Sequence, residues 1–327
     1  MLKEVARDYN ESVLTQALDL YELSKENLKP IETNTDVVFE FSRADRSYIL
    51  KLIHSSQVTF EQVCGEVDWV NYLARHGMSV SQPVVSGSGN LAERVETGST
   101  CFTAVVYEKA RGRLVRYEDD EYNSALYQKC GQFVGRMHAL AKTYEPLNSS
   151  WRRPLWYELM IKEHFHISPG IINDRKQSLI EHLRTLPQDR DCFGLTHGDF
   201  HAYNFLVSED GITVFDFAEC NYCWFGYEIA SILYHVLDLP YEGPDYDRFG
   251  RFFVKHFMLA YKKENRLDPL WEQEMSGFLR LREILIYAYL DSNWDWRSDP
   301  SFVAWMEACR HRIENEQPIA SVDFDFS

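Results

Sequence analysis

The chain has 327 residues, of which 45% are hydrophobic and 26% charged, a composition that excludes an intrinsically disordered or fibrous protein. Its formal net charge of −16 opposes sequence-independent binding to nucleic acid phosphates or to anionic membrane surfaces, so we expect neither as a partner. The seven cysteines, an odd number, and a charged N-terminus without a signal-like apolar stretch predict a cytoplasmic protein with reduced thiols.

Strand-forming residues dominate the first third of the chain. Residues 36–41 and 47–53 are rich in β-branched, aliphatic and aromatic side chains, and the short polar segment 42–46 separates them. This pattern predicts an antiparallel hairpin with Lys51 in its second strand. A further apolar segment, 101–107, predicts another strand.

A helix is predicted between these strands. Thr59 and Gln62 have the spacing of a capping box, in which each side chain pairs with the backbone N–H of the other residue. Apolar residues then recur at helical spacing until Gly77, which ends the helix. Glu66 lies beside this apolar stripe, so we expect it to border the core.

The remainder of the chain has mostly helical periodicity. The predicted helices span residues 121–140, 152–166, 174–186 and several segments between 227 and 314. The exception is a short hairpin in which residues 205–207 and 212–217 flank the turn 209–211.

Polar residues flank this hairpin in a pattern that suits phosphoryl transfer. Transfer from ATP needs a carboxylate that orients or deprotonates the attacking hydroxyl, and oxygen ligands that hold Mg²⁺ against the phosphates. Asp199 fits the first role, and Asn204 with Asp216 fits the second. A strand lysine held by a glutamate of a neighbouring helix binds the phosphates that are not transferred, and Lys51 with Glu66 meets this description.

The segment 197–204, followed by 214–217, resembles the signature of the aminoglycoside phosphotransferase and choline kinase superfamily, relatives of protein kinases. The superfamily pattern is His-Gly-Asp-x-His-x-x-Asn followed by Asp-Phe-Asp, and the matching residues are His197, Gly198, Asp199, His201, Asn204, Asp216 and Phe217. The resemblance extends more weakly over most of the chain. It is closest to the bacterial branch that includes type II homoserine kinases, spore-coat-type proteins and the stress-response Ser/Thr kinase.

The resemblance implies the same roles for the polar residues. Asp199 is then the catalytic base, Asn204 and Asp216 are the Mg²⁺ ligands, and Lys51 with Glu66 is the phosphate-binding pair.

The resemblance also implies supporting residues around the nucleotide and the catalytic loop. Asn34, in a short turn before the first strand, is expected to meet the phosphates. The backbone that would contact adenine at the hinge comprises Tyr107, Glu108, Lys109 and Ala110. The residues implied to brace the catalytic loop are His197, His201 and Glu228.

Three positions depart from the superfamily pattern. Ala218 replaces the second Asp of Asp-Phe-Asp, Glu219 stands where a further Asp is common, and Glu228 stands where an Asp normally steadies the loop. Because Mg²⁺ keeps several waters and takes phosphate oxygens, Asn204 and Asp216 suffice as protein ligands, and we expect activity to survive.

The sequence therefore predicts an α+β, protein-kinase-like bilobal fold. A small antiparallel-sheet lobe is expected at residues 1–110, a hinge at 107–112, and a mainly helical lobe at 111–327. The expected reaction is ATP- and Mg²⁺-dependent transfer of the γ-phosphoryl group to a hydroxyl of a small, possibly cationic molecule. The leading acceptors are an amino alcohol such as homoserine or an aminoglycoside. The alternatives are a protein Ser/Thr kinase of the same fold and a catalytically weak nucleotide-binding or structural protein.

Overall fold

The structure is a computed structural model that describes residues 3–33, 35–98, 100–160, 165–237 and 245–324. Its strands are β1 (Lys29–Ile31), β2 (Val37–Arg43), β3 (Arg46–His54), β4 (Pro83–Val84), β5 (Glu93–Thr97), β6 (Thr100–Glu108), β7 (Phe193–Leu195), β8 (Phe205–Ser208), β9 (Gly211–Val214) and β10 (Tyr222–Trp224). Its α-helices are α1 (Lys3–Asp8), α2 (Glu11–Leu20), α3 (Phe60–Arg75), α4 (Ser124–Ala141), α5 (Trp156–Met160), α6 (Ile171–Leu183), α7 (Phe225–Leu237), α8 (Tyr246–Glu264), α9 (Met275–Asn293) and α10 (Pro300–Glu314).

The chain divides into two units, each with its own core. The first unit comprises Met1–Arg113, Tyr144–Arg153 and Phe205–Ala218, and the second comprises Leu114–Thr143, Pro154–Asn204 and Glu219–Ser327. In the first unit an antiparallel sheet has the strand order β1-β2-β3-β6-β4, and β5 also pairs with β6. Apolar side chains of α1 and α2 pack against this sheet in one core cluster.

The predicted hairpin is confirmed as β2 and β3, in which Val38 lies opposite Lys51. Its loop consists of Ala44 and Asp45, which have φ angles of 49° and 61°. Two consecutive positive φ angles are typical of a type I′ turn, whose twist matches that of the paired strands. A two-residue loop fixes the pairing register of β2 and β3. This register places Asp36, directly before β2, on the same face of the sheet as Lys51.

The predicted helix after this hairpin is confirmed as α3. Thr59 and Gln62 form the reciprocal hydrogen bonds of a capping box, which satisfy two backbone donors at the start of the helix. Val63 and Val67 are buried in the core that α3 shares with the sheet. Glu66, on the same helix, is also buried.

The second unit is mainly helical. Every residue of α7 is buried except the half-buried His235, as expected of a helix that is apolar on all sides and surrounded by protein. α7 packs against α9, and α4 packs against α8. The short strands β7 and β10 form a separate antiparallel pair.

The helix predicted over residues 152–166 is wrong at its start. The helical segment α5 begins only at Trp156, because Pro154 favours extended backbone in the residue before it. Leu155 instead forms a parallel β-bridge with Tyr222. Residues 161–164 lie outside the described part of the chain.

All seven cysteines are buried thiols. Within the described ranges, no helix is long and apolar enough to cross a membrane.

Candidate active site

The ammonium of Lys51 in β3 lies between two carboxylates of the first unit. Its Nζ is 3.0 Å from Oδ2 of Asp36 and 3.5 Å from Oδ1 of Asp216. Burial disfavours the charged form of this lysine. The carboxylates of Asp216, Asp36 and Glu66 outweigh that effect and raise its pKa, so Lys51 is a fixed positive charge.

Glu66 does not form the predicted ion pair with Lys51. Its Oε1 accepts a hydrogen bond of 2.9 Å from the hydroxyl of Tyr107. Within the described residues, the ion pairs of Lys51 are those with Asp36 and Asp216. Burial raises the pKa of the Glu66 carboxyl, and Lys51 opposes that shift. Glu66 therefore acts on Lys51 through its charge and not through direct contact.

Asp216 follows β9 in a left-handed backbone conformation, with a φ of 61°. Such a conformation is uncommon outside glycine and is frequent at functional sites, although aspartate tolerates it better than most residues. The Asp216 side chain is 50% exposed. Two residues further on, Ala218 stands where the superfamily pattern has a second Asp. The carbonyl oxygen of Ala218 accepts a hydrogen bond from Arg153, so the backbone of this segment is still anchored.

The predicted adenine hinge lies at the end of β6. The N–H of Glu108 donates to Gln82 O at 2.8 Å, and the N–H of Lys109 donates to Ser47 O at 2.9 Å. Within the described chain, no group accepts a hydrogen bond from the N–H of Ala110. Residues 108–111 line a cavity of about 240 Å³. Asn34, predicted to meet the phosphates, lies outside the described residues.

The predicted catalytic loop, 197–204, contains a glycine that the backbone requires. Gly198 has a φ of 84°, a conformation that residues with a side chain adopt rarely. A Cβ at this position would lie 2.1 Å from the carbonyl oxygen of Glu219. The loop can therefore approach Glu219 this closely only with glycine at position 198.

The carboxylate of Glu228 accepts hydrogen bonds from the backbone of this loop. Its Oε1 accepts hydrogen bonds from the N–H groups of His197 (2.7 Å) and Gly198 (2.9 Å), and its Oε2 lies 2.6 Å from Nε2 of His138. Burial disfavours its charged form, but the hydrogen bond from His138 and the charges nearby outweigh burial and lower its pKa. His197 is fully buried, and its Nδ1 accepts a hydrogen bond from the N–H of Asp199.

The Asp199 carboxylate is contacted on both oxygens. Its Oδ2 lies 3.1 Å from Nε2 of His201, and its Oδ1 lies 2.9 Å from Nη2 of Arg282 and 3.5 Å from Nε2 of His235. Burial opposes its ionisation, but the hydrogen bond from His201 and the charge of Arg282 hold its pKa well below the usual range. Asn204 Nδ2 donates to the Asp199 carbonyl oxygen at 2.9 Å, which leaves the amide oxygen of Asn204 as the atom able to bind a cation.

A cavity of about 400 Å³ opens beside Asp199 in the second unit. Its polar lining includes Asp199, Glu219 and Arg282, and its apolar lining includes Leu159, Phe165, Leu285, Ile286 and Tyr289. Carboxylates, a guanidinium and an apolar wall thus surround one space. Such a cavity suits a small molecule with both a polar and an apolar part.

Several residues of this arrangement were not predicted from the sequence. They are Asp36, His138, His235 and Arg282. Asp36 follows from the hairpin register once the two-residue loop is recognised. The other three lie on long helices, where no local motif distinguishes a site residue from a core residue.

Comparisons with known proteins show the family of this chain. The model of the Phosphotransferase enzyme family matches residues 27–261. Amicoumacin kinase of Bacillus subtilis (strain 168) is 35% identical over 324 residues, which cover 97% of this chain and 95% of the relative. The structure of amicoumacin kinase hAmiN in complex with AMP-PNP, Ca²⁺ and Ami has a TM-score of 0.90 and 34% identity, with 99% of each chain covered. A microcompartment-associated aminopropanol kinase shares the fold at a TM-score of 0.73 and 16% identity, over 94% of this chain and 98% of the other.

The matched range and the shared fold define a phosphotransferase with a kinase-like α+β fold, as the sequence predicts. The chain belongs to the Phosphotransferase enzyme family. It is an ATP-dependent phosphotransferase.

Proposed function

We propose that this enzyme transfers the γ-phosphoryl group of ATP to a hydroxyl of an amine-bearing small molecule, with amicoumacin as the first candidate. The cavity beside Asp199 carries this proposal, because the Glu219 carboxylate in its lining suits an ammonium group and its apolar wall suits a larger acceptor than a short amino alcohol. Its volume of about 400 Å³ falls within the range of sites for drug-sized ligands. The 35% identity to amicoumacin kinase supports the choice of candidate.

Asp199 is proposed to act on the acceptor hydroxyl. The hydroxyl oxygen forms a bond to the γ-phosphorus while the bond from that phosphorus to the β,γ-bridging oxygen breaks, and the electron pair leaves with ADP. Asp199 accepts the hydrogen bond of the hydroxyl, takes its proton and passes it to solvent. Since this transition state is loose, the main contribution of Asp199 is to orient the hydroxyl.

Asn204 and Asp216 are proposed to hold Mg²⁺, which would neutralise charge on the phosphates. The donor types fit this ion, which prefers oxygen ligands and keeps several waters. The amide oxygen of Asn204 and the half-exposed carboxylate of Asp216 supply such ligands. Within the described ranges, no group of three or more His, Cys, Asp and Glu side chains could hold a metal ion. We therefore expect phosphates and water to complete the coordination.

Lys51 is proposed to bind the phosphates that are not transferred, and Glu66 to reinforce its charge. At the hinge, the N–H of Ala110 is the proposed donor to adenine, since the N–H groups of Glu108 and Lys109 already have backbone acceptors. His197, His201 and Glu228 are proposed to brace the catalytic loop.

The acceptor is tested by measuring ADP formation by the purified enzyme with ATP and Mg²⁺. The panel comprises amicoumacin, homoserine, 1-aminopropan-2-ol, an aminoglycoside and a serine peptide, with propane-1,2-diol as the amine-free match of the aminopropanol. We expect the highest kcat/KM with amicoumacin, with one phosphoryl group added by mass spectrometry, and a lower kcat/KM for the diol than for its amine. A higher kcat/KM with homoserine or the peptide, or no transfer to amicoumacin, would contradict the proposal.

Replacing Lys51 by methionine should weaken nucleotide binding. The loss of a charged hydrogen-bond donor costs about 1.5–3 kcal/mol, which corresponds to an increase of about 10- to 100-fold in the Kd for AMP-PNP. Calorimetric titration of AMP-PNP with Mg²⁺ measures this change. Lys25→Met is the matched control, because Lys25 is a surface lysine of the same unit that also pairs with a carboxylate, that of Glu11. Equal affinities of K51M and K25M for AMP-PNP would contradict the proposal that Lys51 binds the phosphates.

A further inference from the structure

Arg282 is a mostly buried arginine that contacts the Asp199 carboxylate from a distant part of the sequence. It lies in α9 between Leu281 and Glu283, which are both fully buried. Its own side chain is 11% exposed, and its Nη2 lies 2.9 Å from Oδ1 of Asp199. Because α9 packs against α7 in the core, the position of this guanidinium is set by helix packing and not by a mobile loop.

The hydrogen-bond partners show which groups donate to Asp199. Nδ1 of His201 accepts from the N–H of Tyr203 at 3.1 Å, so Nε2–H of His201 donates to Oδ2 of Asp199. Nε2 of His235 accepts from Arg282, because a guanidinium is always a donor. Burial and the charge of Arg282 lower the pKa of His235 to about 4, so this ring is neutral near pH 7. Arg282 on Oδ1 and His201 on Oδ2 therefore fix the plane of the carboxylate.

The hydrogen bonding of Arg282 is incomplete, which argues against a purely stabilising role. Its Nε is buried without a hydrogen-bond partner in the described part of the chain, and each such group costs free energy. A buried ion pair is in general weak evidence for stability, since apolar side chains of similar volume often replace it without loss. Arg282 and Asp199 both line the 400 Å³ cavity, so the ion pair lies where the acceptor is proposed to bind.

We infer that Arg282 is a positioning residue for phosphoryl transfer, which fixes Oδ1 of Asp199 so that the carboxylate meets the acceptor hydroxyl in one orientation. His235 holds the guanidinium in place as a neutral acceptor. This inference rests on the proposed role of Asp199. It means that full activity depends on a residue outside the predicted catalytic loop, on the helix α9 that lines the cavity.

The test compares three variants with the wild type: Arg282→Met, Arg282→Lys and Arg280→Met. Arg280 is the matched control, because it lies on the same helix and forms an ion pair with Glu316 at 3.2 Å, away from the cavity lining. For R282M we expect kcat to fall about 100-fold, since a misplacement of about 1 Å can cost this much. The KM for the acceptor and the Kd for AMP-PNP are expected to stay unchanged. R282K is expected to restore part of kcat, because lysine keeps the charge but not the planar geometry.

The control R280M is expected to keep the wild-type kcat, and all variants are expected to melt as cooperatively as the wild type. A wild-type kcat in R282M would overturn the inference. So would a loss of kcat in R282M that accompanies a loss of folding and that R282K does not restore. A crystal structure of R282M with the Asp199 carboxylate in its original orientation would also overturn it, independently of activity. A wild-type enzyme that fails to phosphorylate amicoumacin would contradict the proposed acceptor and leave the crystallographic test valid.

Discussion

Replacement of Asp199 by asparagine should lower kcat by about 10²–10⁴-fold, the usual contribution of a catalytic base. The amide can still accept the hydrogen bond from Arg282, so the loop should keep its conformation. It cannot take the hydroxyl proton or orient the hydroxyl as a carboxylate does. Steady-state kinetics with the best acceptor measure the loss, and calorimetry with AMP-PNP is expected to show unchanged nucleotide affinity.

The control for this substitution is Asp299→Asn. Asp299 is the N-cap of α10, where its Oδ1 accepts from the N–H of Ser301 at 2.9 Å, and asparagine is an equally good N-cap residue. The control is therefore expected to leave both stability and kcat unchanged. Full activity in D199N would remove Asp199 from its proposed role, and lost AMP-PNP binding would show that the substitution damages more than the chemical step.

Replacement of Glu228 by alanine should cause the largest loss of stability of any change proposed for this protein. The substitution leaves two backbone N–H groups and His138 without their buried acceptor. Breaking a buried, charged interaction of this kind costs about 3–5 kcal/mol in the free energy of unfolding. Urea denaturation measures this loss. Glu264→Ala is the control, because among the described residues Glu264 accepts a single hydrogen bond, from Gln132, near the surface. An unfolding free energy of E228A equal to that of E264A would contradict the bracing role.

The contribution of Glu228 should also depend on pH. Its pKa is lowered in the folded state from an ordinary value of 4.5. A carboxyl with a lowered pKa stabilises the fold above its ordinary pKa and loses that contribution as the pH falls through the folded value. The difference in unfolding free energy between the wild type and Glu228→Gln is therefore expected to shrink below pH 4.5. A difference that stays constant down to the acid transition would indicate that Glu228 is not ionised in the native protein.

The parts of the fold that were predictable are those with a local physical signal. The α3 helix has a capping box and regular apolar spacing, and the β2–β3 hairpin has strand-forming residues around a short polar segment. The predicted catalytic loop has a recognisable motif because its residues lie within eight consecutive positions, 197–204. In each case the interactions that decide the structure lie within a few residues of one another.

The unpredicted parts depend on contacts that are distant in sequence or on a turn with unusual residues. Ala44 and Asp45 form a type I′ turn without the usual Asn-Gly pair, so the register that brings Asp36 to Lys51 was not evident. Arg282 reaches Asp199 across 83 positions, and its helix has no feature that separates it from a core helix. The contact depends on how α9 packs in the fold, and not on any periodicity of the sequence.

The cavity beside Asp199 has two walls with different tolerance to change. Gly198 admits no side chain because of the nearby Glu219 carbonyl, so position 198 does not tolerate substitution. The lining also contains Leu285, Ile286 and Tyr289 of α9, and leucine and isoleucine side chains carry no hydrogen-bonding group that a substitution would remove. New acceptor preferences should therefore arise by diversifying α9, and a library randomised there should yield more active members than one randomised at position 198.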